Sequence, residues 1–164
     1  MKPCIFLANV AETDNSNDLL KRLEDYAKNE GVKVLPLCNQ IESEVAELDQ
    51  EERMGILKEM GMNEPGLNRL IRESYEMLNL LTFFTTDAKK LRAWTIKKGS
   101  TASQAAGEIH TDFEKGFIKA ETISYEDFVK NGGENGARSA GKLRTEGSDY
   151  KVKDGDIIHF VFNV

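Results

Sequence analysis

The first candidate for ligand chemistry is a short polar pair that follows an apolar run. Asn9 and Glu12 come at the end of the run PCIFLANV, residues 3–10. Such a run predicts a buried strand of a parallel sheet, and ligands bind at the carboxyl edge of such sheets. An amide offers a donor and an acceptor, and a carboxylate accepts an N–H, so the pair could read one planar base. On spacing alone, the alternative is a strand-end turn with an exposed acid.

The second candidate is a set of basic residues around the single tryptophan of the chain. Arg92, Trp94 and Ile96 alternate onto one face of a predicted strand. An exposed Trp beside cations suits base stacking and phosphate contact. The basic residues of this set are Lys89, Lys90, Arg92, Lys97, Lys98, His110, Lys115 and Lys119. The alternative is that Trp94 and Ile96 belong to the core, while the lysines only solvate a surface.

Two further patterns are interpreted as structural. Gly136–Lys142 fits the phosphate-loop pattern G-x-x-x-x-G-K, but Leu143 stands where a Mg²⁺-binding Ser or Thr belongs. A phosphate loop follows an apolar strand and begins a helix, and neither flank fits that context. We therefore predict a glycine-rich surface loop over residues 131–141. His110, predicted to lie on a helix, is interpreted as a structural hydrogen-bonding residue.

Composition and charge restrict the function classes. The chain has 164 residues with a net charge of −6, enough for one ordinary domain or two small ones. Residues 1–80 carry 9 Lys/Arg against 16 Asp/Glu, a net of −7, and residues 81–164 carry 13 against 12, a net of +1. This acidity argues against a DNA-coating protein but leaves room for a local RNA-binding face in the second half.

Membrane and redox signals are equally informative. No apolar run approaches 18 residues, so no membrane-spanning helix is expected. The two cysteines, Cys4 and Cys38, suit a reducing cytoplasm and are interpreted as small buried hydrophobic residues. A Cys/His zinc site would need both cysteines and both histidines of the chain, and the spacing of these four residues fits no zinc pattern.

The first half predicts a strand–helix–strand unit followed by helices. The helix is expected to end at Gly31, and VKVLPL at 32–37 forms the second strand. Residues 41–80 are predicted to be wholly helical, with Asp49 capping one helix and Pro65 as the first residue of another.

The second half predicts a ubiquitin-like β-grasp: two strands, a helix, then further strands with a short helix. A turn at residues 86–90 joins the first two strands, and Ser100 or Thr101 begins the helix. FIKAETI is predicted to be a strand and YEDFVK a short helix. Lys153-Asp154-Gly155 is interpreted as the turn of a hairpin between YKV and DIIHFVFNV.

Several segments closely resemble the YchF / Obg-like ATPase family, an Obg-related branch of P-loop NTPases. They are RAWTIKKGSTASQAAGEIHTDFEKGFIKAE, AGKLRTEG, VKDGDIIHFVFN, KPCIFLANVAE and ESEVAELDQEER. The resemblance covers nearly the whole chain. It implies that residues 1–80 are the C-terminal part of a nucleotide-binding α/β domain with helices, and that residues 81–164 are a β-grasp TGS domain. It also implies that a phosphate loop and a coiled-coil insertion precede this chain in a longer protein.

The resemblance assigns the polar pair to the purine base. Asn9 and Glu12 match the family's N-x-x-E motif, with Val10 and Cys38 expected beside the base. Where the family has Ser-Ala-Lys, this sequence has Cys38-Asn39-Gln40. The resemblance implies ATP as the preferred nucleotide. GTPases use Asp at the last motif position to bind guanine N1–H and its N2 amine, a donor pair that adenine lacks, so relaxing the motif disfavours GTP.

The resemblance also implies the partners. The Mg²⁺ ligands and the phosphate loop are expected outside this chain, which should therefore not hydrolyse ATP alone. The TGS domain is expected to contact the ribosome or its RNA in the cytoplasm, with no membrane or DNA partner. The residues expected at that contact are Arg92, Lys97, Lys98, His110 and Lys115. The alternative is a stand-alone, non-enzymatic RNA- or protein-binding module.

Overall fold

The computed structural model describes residues 2–11, 17–87 and 90–163 and divides into two compact units. Unit 1 is Met1–Leu78 and unit 2 is Asn79–Val164. Within the described residues, no helix is both long and apolar enough to cross a membrane. The expected division between residues 80 and 81 falls inside the first strand of unit 2, and its role as a domain boundary stays a prediction.

Unit 1 begins with the predicted strand–helix–strand unit. Its elements are β1 (Ile5–Asn9), α1 (Asn17–Glu30), β2 (Lys33–Leu37), α2 (Asn39–Ala46), α3 (Gln50–Glu59) and α4 (Gly66–Met77). The two strands are parallel, with Asn9 opposite Leu37. Gly31 follows α1 with φ +67°, a left-handed conformation that favours glycine and ends the helix as predicted. The parallel pairing brings the carboxyl ends of β1 and β2 to the same edge.

The prediction that residues 41–80 are wholly helical was wrong in its continuity. Non-helical connections separate α2, α3 and α4, and the last predicted helical residue, Leu80, already begins a strand. Asp49 caps α3 as predicted, because its carboxylate accepts the amide N–H groups of Glu51 and Glu52 at 2.9 and 3.0 Å. Pro65 is the cap of α4 and not its first residue.

The start of α4 is tied to α2 by a carboxylate that the sequence pattern did not indicate. Glu42 accepts the amide N–H groups of Gly66 and Leu67 at 2.7 and 3.2 Å. These groups have no partner inside the helix, so the side chain of Glu42 does the work of a cap from another element. A Cβ at Gly66 would lie 2.0 Å from Leu37 Cδ2 and 2.7 Å from Glu42 Oε1, so a larger residue would have to displace both side chains.

Unit 2 is a five-stranded mixed sheet with helices. Its elements are β3 (Leu80–Asp87), β4 (Lys90–Lys97), α5 (Ala102–Ile109), α6 (Thr111–Lys115), β5 (Phe117–Ile123), α7 (Tyr125–Lys130), α8 (Glu134–Ser139), β6 (Arg144–Glu146) and β7 (Ile157–Phe162). The strand order is β4-β3-β7-β5-β6, and the central β3–β7 pair is parallel while the others are antiparallel.

The core of unit 2 lies between α5 and one face of this sheet. Thr101 begins α5 with a complete capping box to Gln104, which confirms one of the two predicted helix starts. The small side chains of α5 allow it to lie close to the sheet. The buried core residues are Leu81, Phe83, Ile96, Ala102, Ala105, Ala106, Ala120, Val152, Ile158 and Phe160.

Two predictions for the end of the chain were wrong. Residues 131–141 were expected to be a loop, but they contain α8. The hairpin around Lys153-Asp154-Gly155 does not form, because Lys151 bridges Thr101 while β7 pairs with β3 and β5. The segment before the turn therefore belongs beside the start of α5. The middle of the other predicted turn, residues 88 and 89, lies outside the described residues.

Candidate functional site

The candidate base-binding edge of unit 1 is held by two hydrogen bonds. Asn9 Oδ1 accepts the amide N–H of Asn39 at 3.1 Å, and the Val10 amide donates to the Leu37 carbonyl at 2.8 Å. The first bond joins the end of β1 to the start of α2 and fixes the side-chain amide of Asn9. With Oδ1 engaged, Nδ2 is the atom that remains to donate to a ligand.

Val10 and Cys38 meet at a cavity of about 220 Å³ next to this edge. Cys38 is half-buried and directly precedes α2, whereas Cys4 is exposed, so the expectation of buried cysteines was wrong for Cys4. Cys4 directly precedes β1. Glu12, the last residue of the expected base-reading motif, lies outside the described residues.

The structure separates the basic residues of unit 2 into two places. Arg92 lies near the start of β4, while Lys97 ends that strand and Lys98 follows it, all exposed. Five strand residues span about 17 Å, so Arg92 and Lys97 are at opposite ends of β4. Lys115 is exposed at the end of α6.

The sequence pattern predicted His110 on a helix, and this prediction was wrong. Its backbone is extended between α5 and α6, and its Nδ1 accepts the amide N–H of Asp112 at 3.1 Å. The periodicity of the apolar residues continues across this break, which explains why it was missed. The structural role expected for His110 is present as a helix cap.

Ion pairs distinguish the cations that the protein uses itself. Lys119 and Arg138 both approach Glu121, with Nζ at 2.7 Å and Nη2 at 3.5 Å from its carboxylate oxygens. The hydrogen bond from Lys119 is the main reason that the pKa of Glu121 lies below its usual range. Among the described side chains, Arg92, Lys97, Lys98 and Lys115 have no such partner and remain available to an external anion.

Trp94 is half-buried, whereas the interpretation as an RNA-stacking residue expected it to be exposed. Its Nε1–H donates to Thr85 Oγ1 at 3.0 Å, and its ring packs against the core that includes Ile96. One face still lines a cavity of about 410 Å³, together with Phe113 and Phe162. The two phenylalanines were missed because they are 49 residues apart in the sequence and meet only through the sheet order.

The glycine-rich near-match to a phosphate loop has a structural explanation. Gly136 lies in α8, where a Cβ would be 1.8 Å from the Asn131 carbonyl oxygen. Lys142 Nζ lies 3.5 Å from Asp127 Oδ1 and is used in an ion pair. This segment is a helix followed by a turn, which differs from the strand–loop–helix order that cradles phosphates.

A buried acid that the sequence pattern did not indicate organises the last loop of unit 2. Asp156 Oδ2 accepts the Tyr150 hydroxyl at 2.8 Å and the Lys153 amide at 2.9 Å. Arg144 Nη2 lies 3.5 Å from Asp156 Oδ1. Burial, and then the bond to Asp156, raise the pKa of Tyr150 above its usual range. The cluster holds residues 150–156 against the sheet.

The parallel strand–helix–strand unit and the mixed-sheet unit that follows it in the sequence are also found in a longer protein of known structure. A GTP-binding protein from Pyrococcus horikoshii OT3 has a TM-score of 0.65 over 99% of this chain and 46% of its own length. Its sequence identity of 24% makes this a likeness of fold alone.

The family model YchF-GTPase_C, described as a protein of unknown function (DUF933), matches residues 80–163. The chain belongs to the YchF family. The YchF GTPase of Schizosaccharomyces pombe is 34% identical with a TM-score of 0.79, covering 98% of this chain and 43% of its own. The Escherichia coli O157:H7 protein named "Ribosome-binding ATPase YchF" is 54% identical over all of this chain and 46% of its own length. The chain therefore spans about half the length of the curated relatives it matches.

Proposed function

We propose that this chain is the C-terminal portion of a ribosome-binding, ATP-preferring P-loop ATPase. Unit 1 contributes the purine-reading edge, and unit 2 contacts the ribosome or its RNA. The observation that carries the proposal is the 54% identity, over the whole chain, to a protein named as a ribosome-binding ATPase. Such a protein works in the cytoplasm, and the proposal includes no membrane or DNA partner.

The hydrogen bond at the end of β1 supports the assignment of Asn9 to the base. Because Asn39 occupies Oδ1, Nδ2 donates to a ring nitrogen of the purine. Val10 and Cys38 line the adjoining cavity and are placed to pack beside the base. Glu12 accepts from the exocyclic amine of adenine in this proposal.

ATP hydrolysis also needs a phosphate loop and Mg²⁺ ligands. No G-x-x-x-x-G-K-[ST] motif occurs in the sequence, and the described residues contain no cluster of three or more His, Cys, Asp or Glu suited to a metal. Mg²⁺ bound to the ATP phosphates would neutralise the negative charge that develops on them during phosphoryl transfer. We assign their ligands to the remainder of the protein, so hydrolysis requires it.

The assignment of unit 2 as a β-grasp TGS domain is supported by its topology. A hairpin leads into α5, and the final strand β7 inserts beside β3 in parallel, which is the order that we expect for a β-grasp. Lys97 and Lys98 are exposed and have no acidic partner among the described side chains, which supports contact with a phosphate backbone.

ATP and GTP binding by the full-length gene product tests this proposal. We expect tighter binding of ATP, about tenfold weaker binding after Asn9→Ala because one hydrogen bond to the base is lost, and a smaller ATP preference after Glu12→Asp. Asn29→Ala, on the exposed end of α1, is the matched control and should change neither affinity. Tighter binding of GTP, or unchanged binding by Asn9→Ala, would contradict the base-reading assignment.

A further inference from the structure

Unit 2 contains a cavity of about 410 Å³ on the α5 side of its sheet. Its walls come from distant parts of the sequence: Trp94 on β4, Phe113 on α6 and Phe162 on β7. Arg92 lies at the same cavity, two residues before Trp94 on β4. The fold therefore brings together these three aromatic rings, the buried ring of Phe160 and a cation, a set that no short motif contains.

The aromatic walls are held in place by contacts within the protein. The rings of Phe113 and Phe162 stack with centroids 3.7 Å apart and planes 23° from parallel. The indole of Trp94 is fixed by its hydrogen bond to Thr85 at 3.0 Å. All three rings are only half-buried, so each presents surface to the cavity. A flat ligand would meet rigid walls and would lose little side-chain entropy on binding.

The charges around the cavity select the class of ligand. Arg92 and His159 line it, and none of its described lining residues is acidic. Arg92 is exposed and has no acidic partner among the described side chains, so its guanidinium is available to an anion. Thr85 and Thr86 lie at the rim with engaged hydroxyl groups: Thr85 Oγ1 accepts the Trp94 indole N–H, and Thr86 Oγ1 donates to Glu134 Oε2 at 3.4 Å. Aromatic walls beside an unpaired guanidinium are suited to a planar ring that carries a nearby negative charge.

We propose that this cavity binds one unstacked base of a single-stranded RNA segment, with Arg92 holding the adjacent phosphate. Base and phosphate together provide the planar ring and the anion that the cavity selects. Bases in a duplex are stacked and paired, so a loop, bulge or end of the RNA is required. This inference rests on the proposed contact between unit 2 and ribosomal RNA, and it adds the form of RNA and the residues that bind it.

The single tryptophan makes the test specific, because Trp94 is the only indole fluorophore in the chain. The chain is titrated with oligoadenylate of about eight nucleotides, with an abasic oligomer of equal length, and with duplex RNA. We expect saturable quenching of Trp94 by oligoadenylate alone, with affinity about tenfold above that of the abasic oligomer, which can contact only through its backbone.

Two variants connect the signal to the cavity. Phe113→Leu should weaken oligoadenylate binding about tenfold while leaving abasic binding unchanged. Arg92→Gln should weaken both oligomers and reduce the salt dependence by about one phosphate contact. Lys130→Gln, an exposed cation at the end of α7, is the matched control and should leave quenching unchanged. Since Arg92 is exposed, its substitution tests the site even if Phe113→Leu impairs folding.

Equal binding of oligoadenylate and abasic oligomer without a change in Trp94 fluorescence would overturn the inference. If such a chain still sedimented with ribosomes, the proposed function would stand and the cavity would have no role in RNA binding. Loss of ribosome binding in Arg92→Gln and Phe113→Leu without any oligomer quenching would also overturn it, in favour of a ribosomal protein as the occupant. Selective quenching without ribosome sedimentation would support the cavity and contradict the proposed function.

Discussion

The two units differ in how completely each buries its own apolar residues. Unit 2 surrounds a continuous core in which Phe83 and Ile158 have no exposed surface. Unit 1 has a two-stranded sheet and a small cluster around Leu57, and nine of the thirteen exposed large apolar side chains among the described residues belong to it. Burial of apolar area is the main source of stability, so unit 2 has the means to fold by itself. Unit 1 carries apolar surface of the kind that marks a contact with other protein.

Amide hydrogen exchange provides the largest expected contrast between the units. The amides of β3, β5 and β7 should exchange only through global opening of unit 2, and those of β1 and β2 through smaller local openings. Mass-resolved exchange of peptides from the intact chain measures both sets in one sample. Equal protection of the β1 and β5 amides would contradict the claim that unit 2 is the more stable unit.

Core truncation in each unit sharpens the contrast further. Phe83→Ala should lower the free energy of unfolding of unit 2 by about 3–5 kcal/mol, because it leaves a large cavity in the core. Urea unfolding followed by Trp94 fluorescence reports that loss, since Trp94 lies in unit 2. Leu57→Ala, at an equally buried position of unit 1, should leave the Trp94 transition in place. A matching shift in both variants would mean that the units unfold as one.

A glycine pair tests the tight contact that orders unit 1. Gly66→Ala should destabilise unit 1 by about 1–3 kcal/mol, because the added methyl would overlap Leu37 and the Glu42 carboxylate. Gly55→Ala meets no atom within 4 Å and lies inside α3, so it should stabilise the unit by about 0.5–1 kcal/mol. Exchange rates of the β2 amides measure both effects, and opposite signs are the required result.

The smallest expected effect concerns the Tyr150–Asp156 contact of unit 2. The folded unit raises the pKa of Tyr150. The contribution of this residue to the stability of unit 2 is therefore complete below about pH 10, the pKa of an unperturbed tyrosine, and falls as the pH rises further. Tyr150→Phe should cost about 1 kcal/mol at neutral pH and reduce the alkaline loss. Urea unfolding at about pH 8 and about pH 11 measures this. Tyr125→Phe, at an exposed residue, is the control, and an identical pH response in both variants would contradict the assignment.

The elements that were predicted correctly are those that local sequence patterns determine. FIKAETI and YEDFVK appear as the strand β5 and the helix α7, and the end of β1 places Asn9 where a parallel sheet binds ligands. The errors arose where distant pairing decides the structure. The three-residue strand β6 forms because it pairs with β5. Helix α8 contains Gly136, a poor helix former, because the Asn131 carbonyl approaches too closely for a side chain at that position. Each depends on contacts that no local pattern contains.

The candidate site divides along the same line. The expected base-reading residues are close in sequence to two parallel strand ends. Asn9 could be named from the strand pattern, whereas Val10 and Cys38 were named through the family resemblance. The cavity in unit 2 depends on Phe113 and Phe162, which the sheet order brings together. The basic residues were identified by type, but their separation to the two ends of β4 became visible only in the fold.

Ribosome sedimentation of the intact chain over a range of salt concentrations tests most directly whether unit 2 is the docking unit. Lys97→Glu with Lys98→Glu reverses two exposed cations of unit 2, and Lys21→Glu with Lys28→Glu reverses two exposed cations of unit 1. We predict that affinity falls as salt rises, falls much further after the unit 2 reversals, and changes little after those in unit 1. Affinity that is independent of salt and survives Lys97→Glu with Lys98→Glu would contradict the account.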